Sequence, residues 1–108
     1  MLEALLGNKT IEKVLLYIYV FESSYIREIA RNFSIPVRSV VQQLDRLEEG
    51  GILVSRLRGK VRIYQFNPRY PFLPELKSLL GKAYSVLPKD VKEKFYIKRT
   101  RPRMRKKP

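Results

Sequence analysis

An uninterrupted apolar run of eight residues, Val14 to Phe21, constrains the fold of this chain more than any other feature. Asn8 can cap a helix that begins at about Lys9 and continues through this run to Phe21. A surface helix carries one apolar stripe, whereas this helix is apolar on nearly every side. The pattern predicts either a central helix buried by the rest of the chain or a helix whose far side is covered by a second subunit.

Two further helices joined by a tight turn are predicted next. Ser24 can cap the first helix, and residues 32–35 predict the turn. Pro36 suits the first position of the second helix, and Gly50-Gly51 ends it. Both helices have apolar residues spaced by three and four: Ile26, Ile29, Ala30 and Phe33 in the first, and Val37, Val40, Leu44 and Leu47 in the second.

A β-hairpin is predicted after these helices. The segments 52–57 and 61–66 are rich in β-branched and aromatic residues, which favours two strands. Gly59 can supply the positive φ of a tight turn. A loop made of Gly59 and Lys60 would place four apolar residues on one face of the hairpin: Leu53, Leu57, Tyr64 and Phe66.

The C-terminal part of the chain predicts a leucine-rich helix and a basic tail. The helix spans about Leu73 to Val86, ends before Pro88, and is followed by a short helix over 89–97. Residues 98–108 contain seven Lys or Arg and no acidic residue, so we expect a disordered tail. The predicted organisation is therefore one domain over residues 1–97 and a tail, in a mainly α fold with a small β-hairpin (α+β).

Composition narrows the possible functions. The chain has 23 Lys and Arg against 10 Asp and Glu, a net charge of +13, which attracts polyanions such as nucleic acid first and an anionic membrane surface second. It has no histidine and no cysteine, which removes the commonest general base and the commonest metal ligands. No apolar run approaches the ~18 residues of a membrane span. We expect no enzyme activity, no cofactor and no metal.

Two short helices, a tight turn and a hairpin follow each other in the order of a winged helix-turn-helix. On the second helix, donor-bearing residues point away from the apolar stripe and suit base edges and phosphates: Arg38, Ser39, Gln42 and Arg46. The alternative is an ordinary solvated helix face. Asp45 and Glu49 lie toward the C-terminal end and would be repelled by phosphate, so we expect the N-terminal half of this helix to enter the major groove.

Basic residues surround the hairpin tip and fill the tail. The hairpin residues Arg56, Arg58, Lys60 and Arg62 predict a wing that lies on the DNA backbone or in the minor groove. Their charges could instead only protect a strand edge from pairing. The tail can neutralise further phosphates, or it is a solubilising terminus or a remnant of expression. Its basic residues are Lys98, Arg99, Arg101, Arg103, Arg105, Lys106 and Lys107.

Residues 25–53, YIREIARNFSIPVRSVVQQLDRLEEGGIL, resemble the winged-helix core of ArsR-like and MarR-like prokaryotic transcription regulators. The wing ending IYQFN and the opening segment LLGNKT resemble the same domain type, so the resemblance covers about residues 5–87. It implies a cytoplasmic, nucleoid-associated homodimer that binds operator DNA, with dimer contacts through the helices at 9–21 and 73–87. The recognition positions carry over to Val37, Arg38, Ser39, Val41, Gln42 and Gln43, with Arg46 as a phosphate contact and Gly59 in the wing.

The sequence departs from this family in two respects. It lacks the Cys and His ligands of the metal-sensing members, which argues against metal sensing of that kind. Pro36 occupies the position where a Ser or Thr usually caps the recognition helix. Other functions stay open: a non-specific architectural DNA-binding protein, or a winged helix that binds RNA or a protein. Four aromatic residues either belong to the core or line a ligand pocket between subunits: Tyr17, Tyr19, Phe21 and Phe72.

Overall fold

Residues 1–97, the part of the chain that the computed structural model describes, form helices around one small sheet. In chain order, the elements are α1 Glu3–Leu6, α2 Lys9–Phe21, β1 Ser23–Tyr25, α3 Ile26–Phe33, α4 Val37–Glu49, β2 Leu53–Arg58, β3 Val61–Phe66, α5 Leu73–Ser85 and α6 Lys89–Phe95. The predicted class, mainly α with a small β part, is confirmed. The tail predicted at 98–108 lies outside the described residues and stays a prediction.

Helix α2 runs through the middle of the molecule, and every residue from Val14 to Ile18 is buried. Asn8 caps it as predicted, because its Oδ1 accepts a hydrogen bond from the Ile11 N–H at 2.8 Å. Other helices and the sheet contact α2 from several sides. The central-helix interpretation is therefore confirmed for residues 14–18, whereas the last three residues of the apolar run, Tyr19, Val20 and Phe21, are half-buried.

The α3–α4 pair forms the predicted helix-turn-helix, with local corrections. Ser34 ends α3 in the left-handed conformation at φ 55°. Ser24 does not cap α3: it lies in β1, and its hydroxyl donates to Glu28 Oε1 at 2.5 Å. Pro36 precedes α4 as its N-cap residue instead of occupying its first turn. Val37 therefore begins α4 and is 41% exposed, so its predicted place in the core stripe is wrong.

The hairpin β2–β3 has the predicted turn. Arg58 pairs with Val61, which leaves Gly59 and Lys60 as the two-residue loop, and Gly59 has φ 64°. The pairs Leu53–Phe66, Ser55–Tyr64 and Leu57–Arg62 share one face, which covers the core only near the base of the hairpin. At 63% exposed, Leu57 extends beyond the core with the tip. Strand β1, which the sequence did not predict, pairs with the other edge of β3 and gives the order β1-β3-β2.

Helices α5 and α6 complete the core. Leu80 and Ala83 of α5 are buried, and α5 packs on α2. The side-chain amide of Asn32 donates to the Phe95 carbonyl at 3.0 Å and ties α3 to the end of α6. Both predicted helices exist, with ends within two residues of the prediction. Four other leucines of this helix and of the segment after it are only half-buried: Leu73, Leu76, Leu79 and Leu87.

Candidate nucleic-acid interface

The residues predicted for DNA contact on α4 differ in accessibility. Because Val40, Leu44 and Leu47 are buried against the core, the opposite side of α4 faces solvent. Four of the predicted residues are exposed: Val37, Arg38, Gln42 and Arg46. The other three are half-buried: Ser39, Val41 and Gln43.

The corner between α1 and α2 lies against one flank of α4, beside Gln43 and Arg46. The side-chain Nδ2 of Asn8 donates to Gln43 Oε1 at 3.3 Å, so Gln43 already has one partner within the fold. The Arg46 guanidinium lies beside Gly7. The sequence pattern predicts only a capping role for Asn8 and none for Gly7. The available signal was a glycine directly before an N-cap residue, which marks a sharp reversal of the chain.

The positive charge of the described residues is not neutralised locally. Residues 1–97 contain 16 Lys and Arg (23 less the seven of the tail) and 10 Asp and Glu, a net charge of +6. Among them, no Lys or Arg side chain lies within 4.0 Å of a carboxylate oxygen; the ion pairs found there join the Met1 amine to Glu3 and to Glu12. The basic side chains on α4 and on the hairpin are therefore available to an external anion.

The hairpin tip presents its cations in two ways. Arg56, Arg58 and Lys60 are exposed around the loop. Arg62 is instead held by a hydrogen-bonded chain: its Nη1 donates to Ser55 Oγ at 3.1 Å, and that hydroxyl donates to Glu48 Oε2 at 2.6 Å.

This chain of bonds, the wing tie, joins both strands of the hairpin to the C-terminal end of α4. Helix α4 also packs directly on β2. The hairpin tip and the exposed side of α4 therefore belong to one connected unit. Of the four predicted wing cations, Arg62 is the one already engaged inside that unit.

Carboxylates gather at the C-terminal end of α4. Asp45 and Glu49 are exposed there, and Glu48 is half-buried in the wing tie. Burial raises the pKa of the nearby Tyr64 hydroxyl, and the negative charges of Glu48 and Asp45 raise it further. The first two turns of α4 carry Arg38 and no acidic residue. The helix therefore has a cationic N-terminal half and an anionic C-terminal end.

Solved structures with the same architecture are found despite low sequence identity. A double mutant of ZitR from Lactococcus lactis in apo form, a winged-helix protein, matches with a TM-score of 0.55 at 17% identity over 79% of this chain and 73% of that one. A second structure of the double mutant matches with a TM-score of 0.51 at 16% identity, over 79% and 66% of the two chains. The chain has a winged-helix fold.

This likeness shows the fold alone, and sequence comparison adds no family. No protein-family model matches the chain, and no curated protein matches it in sequence. In the winged-helix fold, α3 and α4 are the helix-turn-helix and the β2–β3 hairpin is the wing. The family resemblance stated from the sequence therefore stays an interpretation, while the fold that it implied is confirmed.

The aromatic residues proposed for a ligand pocket are not brought together. Tyr17 and Phe21 line an open depression of about 500 Å³ that also contains Glu28 and Arg31. Tyr19 lines a different depression, of about 530 Å³. Phe72 lies outside both and packs its ring on Tyr70, with the ring centroids 5.8 Å apart. Within one chain these four residues therefore line no common pocket, and the pocket between subunits stays a prediction.

Two features are absent from residues 1–97. No helix in this part of the chain is both long and apolar enough to cross a membrane. The same residues contain no group of three or more His, Cys, Asp or Glu side chains able to hold a metal ion.

Proposed function

We propose that the protein binds double-stranded DNA as a sequence-specific transcriptional regulator, with α4 in the major groove and the wing on the backbone or in the minor groove. The observation that carries this proposal is the exposed outer side of α4 together with the cationic hairpin, which the wing tie joins to the C-terminal end of the same helix. Arg38, Gln42 and Arg46 are exposed there, and the cations at the tip have no carboxylate within 4.0 Å among residues 1–97.

The charge distribution along α4 supports one direction of entry. Phosphate repels Asp45 and Glu49, whereas the first two turns carry Arg38 and the amides of Gln42 and Gln43. A glutamine amide can pair with two atoms of an adenine edge, and an arginine with two of a guanine edge. The N-terminal half of α4 is therefore proposed as the part that reads bases, and the wing and Arg46 as phosphate contacts.

We propose that the protein acts as a homodimer. Helix-turn-helix dimers contact two half-sites about 34 Å apart. Because α2 is buried inside one chain, the contact predicted through residues 73–87 is the better supported of the two predicted contacts. Phe72, at the start of α5, is 63% exposed, and Leu76 and Leu79 are half-buried. A second copy of α5 could cover these residues.

Fluorescence anisotropy of a labelled duplex, titrated at several salt concentrations, tests the proposal. We expect the logarithm of the association constant to fall linearly with the logarithm of salt, by about 0.9 for each phosphate neutralised. Arg58→Ala should weaken binding, whereas Lys89→Ala, which removes an equal charge from the exposed start of α6, should not. Stoichiometry at saturation reports whether two chains bind one site. Absence of duplex binding at low salt would end the proposal.

A non-specific architectural role is the second candidate. Seven of the 23 basic residues lie in the last eleven positions, and phosphate contacts carry no sequence information. Sequencing the genomic fragments bound by the protein separates the candidates, because a regulator enriches a shared motif and an architectural protein does not. Competition with structured RNA tests the remaining winged-helix function, RNA binding.

A further inference from the structure

The corner between α1 and α2 is built from Gly7 and Asn8. Gly7 ends α1, and its N–H donates to the Glu3 carbonyl at 2.8 Å. Its φ of 116° lies in the region that side chains of L-residues rarely adopt. Asn8 then begins α2 by accepting the Ile11 N–H at 2.8 Å. The backbone therefore reverses within two residues and presents a surface without a side chain.

The guanidinium of Arg46 occupies that surface. A Cβ added to Gly7 would lie 3.2 Å from Arg46 Nη1, 3.5 Å from Nη2 and 3.8 Å from Cζ. The planar group of Arg46 thus lies beside Gly7, and a Cβ at this position would crowd it and shift it by a few tenths of an ångström. Within residues 1–97, Arg46 makes no side-chain hydrogen bond and no ion pair. Its orientation is set by packing while its five donors stay available.

The same corner also contacts α4 one turn earlier. Asn8 Nδ2 donates to Gln43 Oε1 at 3.3 Å, and Gln43 and Arg46 are three positions apart on one side of the helix. Two consecutive residues of the corner therefore touch two neighbouring residues of the proposed recognition helix. Fixing a long side chain before binding lowers the entropy that is lost on association. A planar guanidinium gains more from such orientation than an ammonium does.

We infer that Gly7 is a positioning residue for DNA binding: its bare backbone holds the Arg46 guanidinium in the orientation that contacts one phosphate of the duplex. This inference rests on the proposed DNA binding and adds the α1–α2 corner to it. The contact is to the sugar–phosphate backbone, so it contributes affinity and register without sequence preference.

Gly7→Ala tests the inference, and Gly51→Ala is its matched control. Gly51 also has a positive φ, 78°, but a Cβ there would meet nothing within 4 Å. Both variants therefore strain the backbone, while only Gly7→Ala displaces Arg46.

We expect Gly7→Ala to weaken binding to every duplex roughly threefold to tenfold. We also expect its salt dependence to fall by up to about 0.9 in slope, the value of one phosphate. Gly51→Ala should keep both at the wild-type values.

Arg46 variants show whether the effect passes through the guanidinium. In an Arg46→Ala background, Gly7→Ala should cause no further loss. Arg46→Lys keeps the charge but loses the planar group, so it should bind less tightly than wild type. This measurement tests the inference even if Gly7→Ala does not fold. Circular dichroism and thermal unfolding check that each variant is folded.

Three outcomes would overturn the inference: wild-type affinity of folded Gly7→Ala, full additivity of the Gly7 and Arg46 effects, or wild-type affinity of Arg46→Lys. The failure of the proposed function looks different, because the wild-type protein itself would then bind no duplex.

Discussion

Gln42 and Lys60 are both exposed polar residues, but their side chains suit different parts of a duplex. The Gln42 amide has a donor and an acceptor that can pair with an adenine edge. The Lys60 ammonium is a point charge that suits phosphate. We predict that Gln42→Ala lowers the discrimination between a preferred and a scrambled duplex by about 1–3 kcal/mol. Lys60→Ala should weaken both duplexes by the same factor. Anisotropy titrations of each variant against both duplexes measure this difference.

The two variants control for each other, because each removes one exposed side chain of the same proposed surface. An equal loss on both duplexes for Gln42→Ala would show that Gln42 does not read bases. A change in discrimination for Lys60→Ala would place the wing on base edges instead of the backbone.

Single residues were predictable where local chemistry decides the conformation. Asn8 can satisfy a helix N-terminus and Gly59 can adopt a positive φ, and both do so. The Ser24 cap failed for a non-local reason: Ser24 pairs with Tyr64, forty residues further along the chain. This pairing holds Ser24 in strand β1 and leaves Tyr25 at the N-cap of α3.

Helices and strands were predictable in proportion to their length and periodicity. The 13-residue helices α2, α4 and α5 and the six-residue strands β2 and β3 show clear apolar patterns. β1 has only three residues, Ser23–Tyr25, with no apolar alternation. It exists because the free edge of β3 offers backbone partners, which no local pattern reports. The four-residue α1 was not predicted because one helical turn is too short to show an apolar period. The Gly7 corner beside Arg46 was therefore not predicted either.

The wing tie makes a prediction about the hairpin as an element. Ser55 Oγ donates to Glu48 and accepts from Arg62, so Ser55→Ala breaks both bonds and leaves a half-buried carboxylate without its donor. We expect the free energy of unfolding to fall by about 1 kcal/mol. The amides of β3 should also exchange with solvent faster, because the hairpin is then less firmly attached to α4. Urea unfolding and hydrogen exchange followed by NMR measure these effects.

Ser85→Ala is a suitable control for the wing tie. The Ser85 hydroxyl donates to the Lys82 carbonyl within α5 and is exposed, so its loss should leave the hairpin amides unchanged. If β3 exchanges at the wild-type rate in Ser55→Ala, the hairpin is held by its packing on α4 and not by the hydrogen-bonded chain.

At the scale of the whole molecule, apolar burial and positive charge are separated in space. One chain buries the centre of α2, from Val14 to Ile18, within its own interior. The basic side chains of residues 1–97 have no carboxylate within 4.0 Å, so their charge is directed outward. The apolar run and the charge excess predicted both features. The α1–α2 corner and the wing tie both contact α4 through residues that are distant in sequence. The periodicity of apolar residues does not predict such contacts.

The net charge of the full chain, +13, divides into +6 for residues 1–97 and +7 for residues 98–108. If the tail contributes only phosphate contacts, replacing its seven basic residues with glutamine should weaken binding to all duplexes alike. The salt slope should then fall by up to about six, because each lost phosphate contact removes about 0.9. Discrimination between preferred and scrambled duplexes should stay at the wild-type value, since it is proposed to arise on α4.

A tail of the same residues in shuffled order keeps the charge and should bind as the wild type does. Loss of all duplex binding at low salt in the glutamine variant, with the shuffled tail still active, would identify the tail as the main DNA-binding element and favour the architectural function.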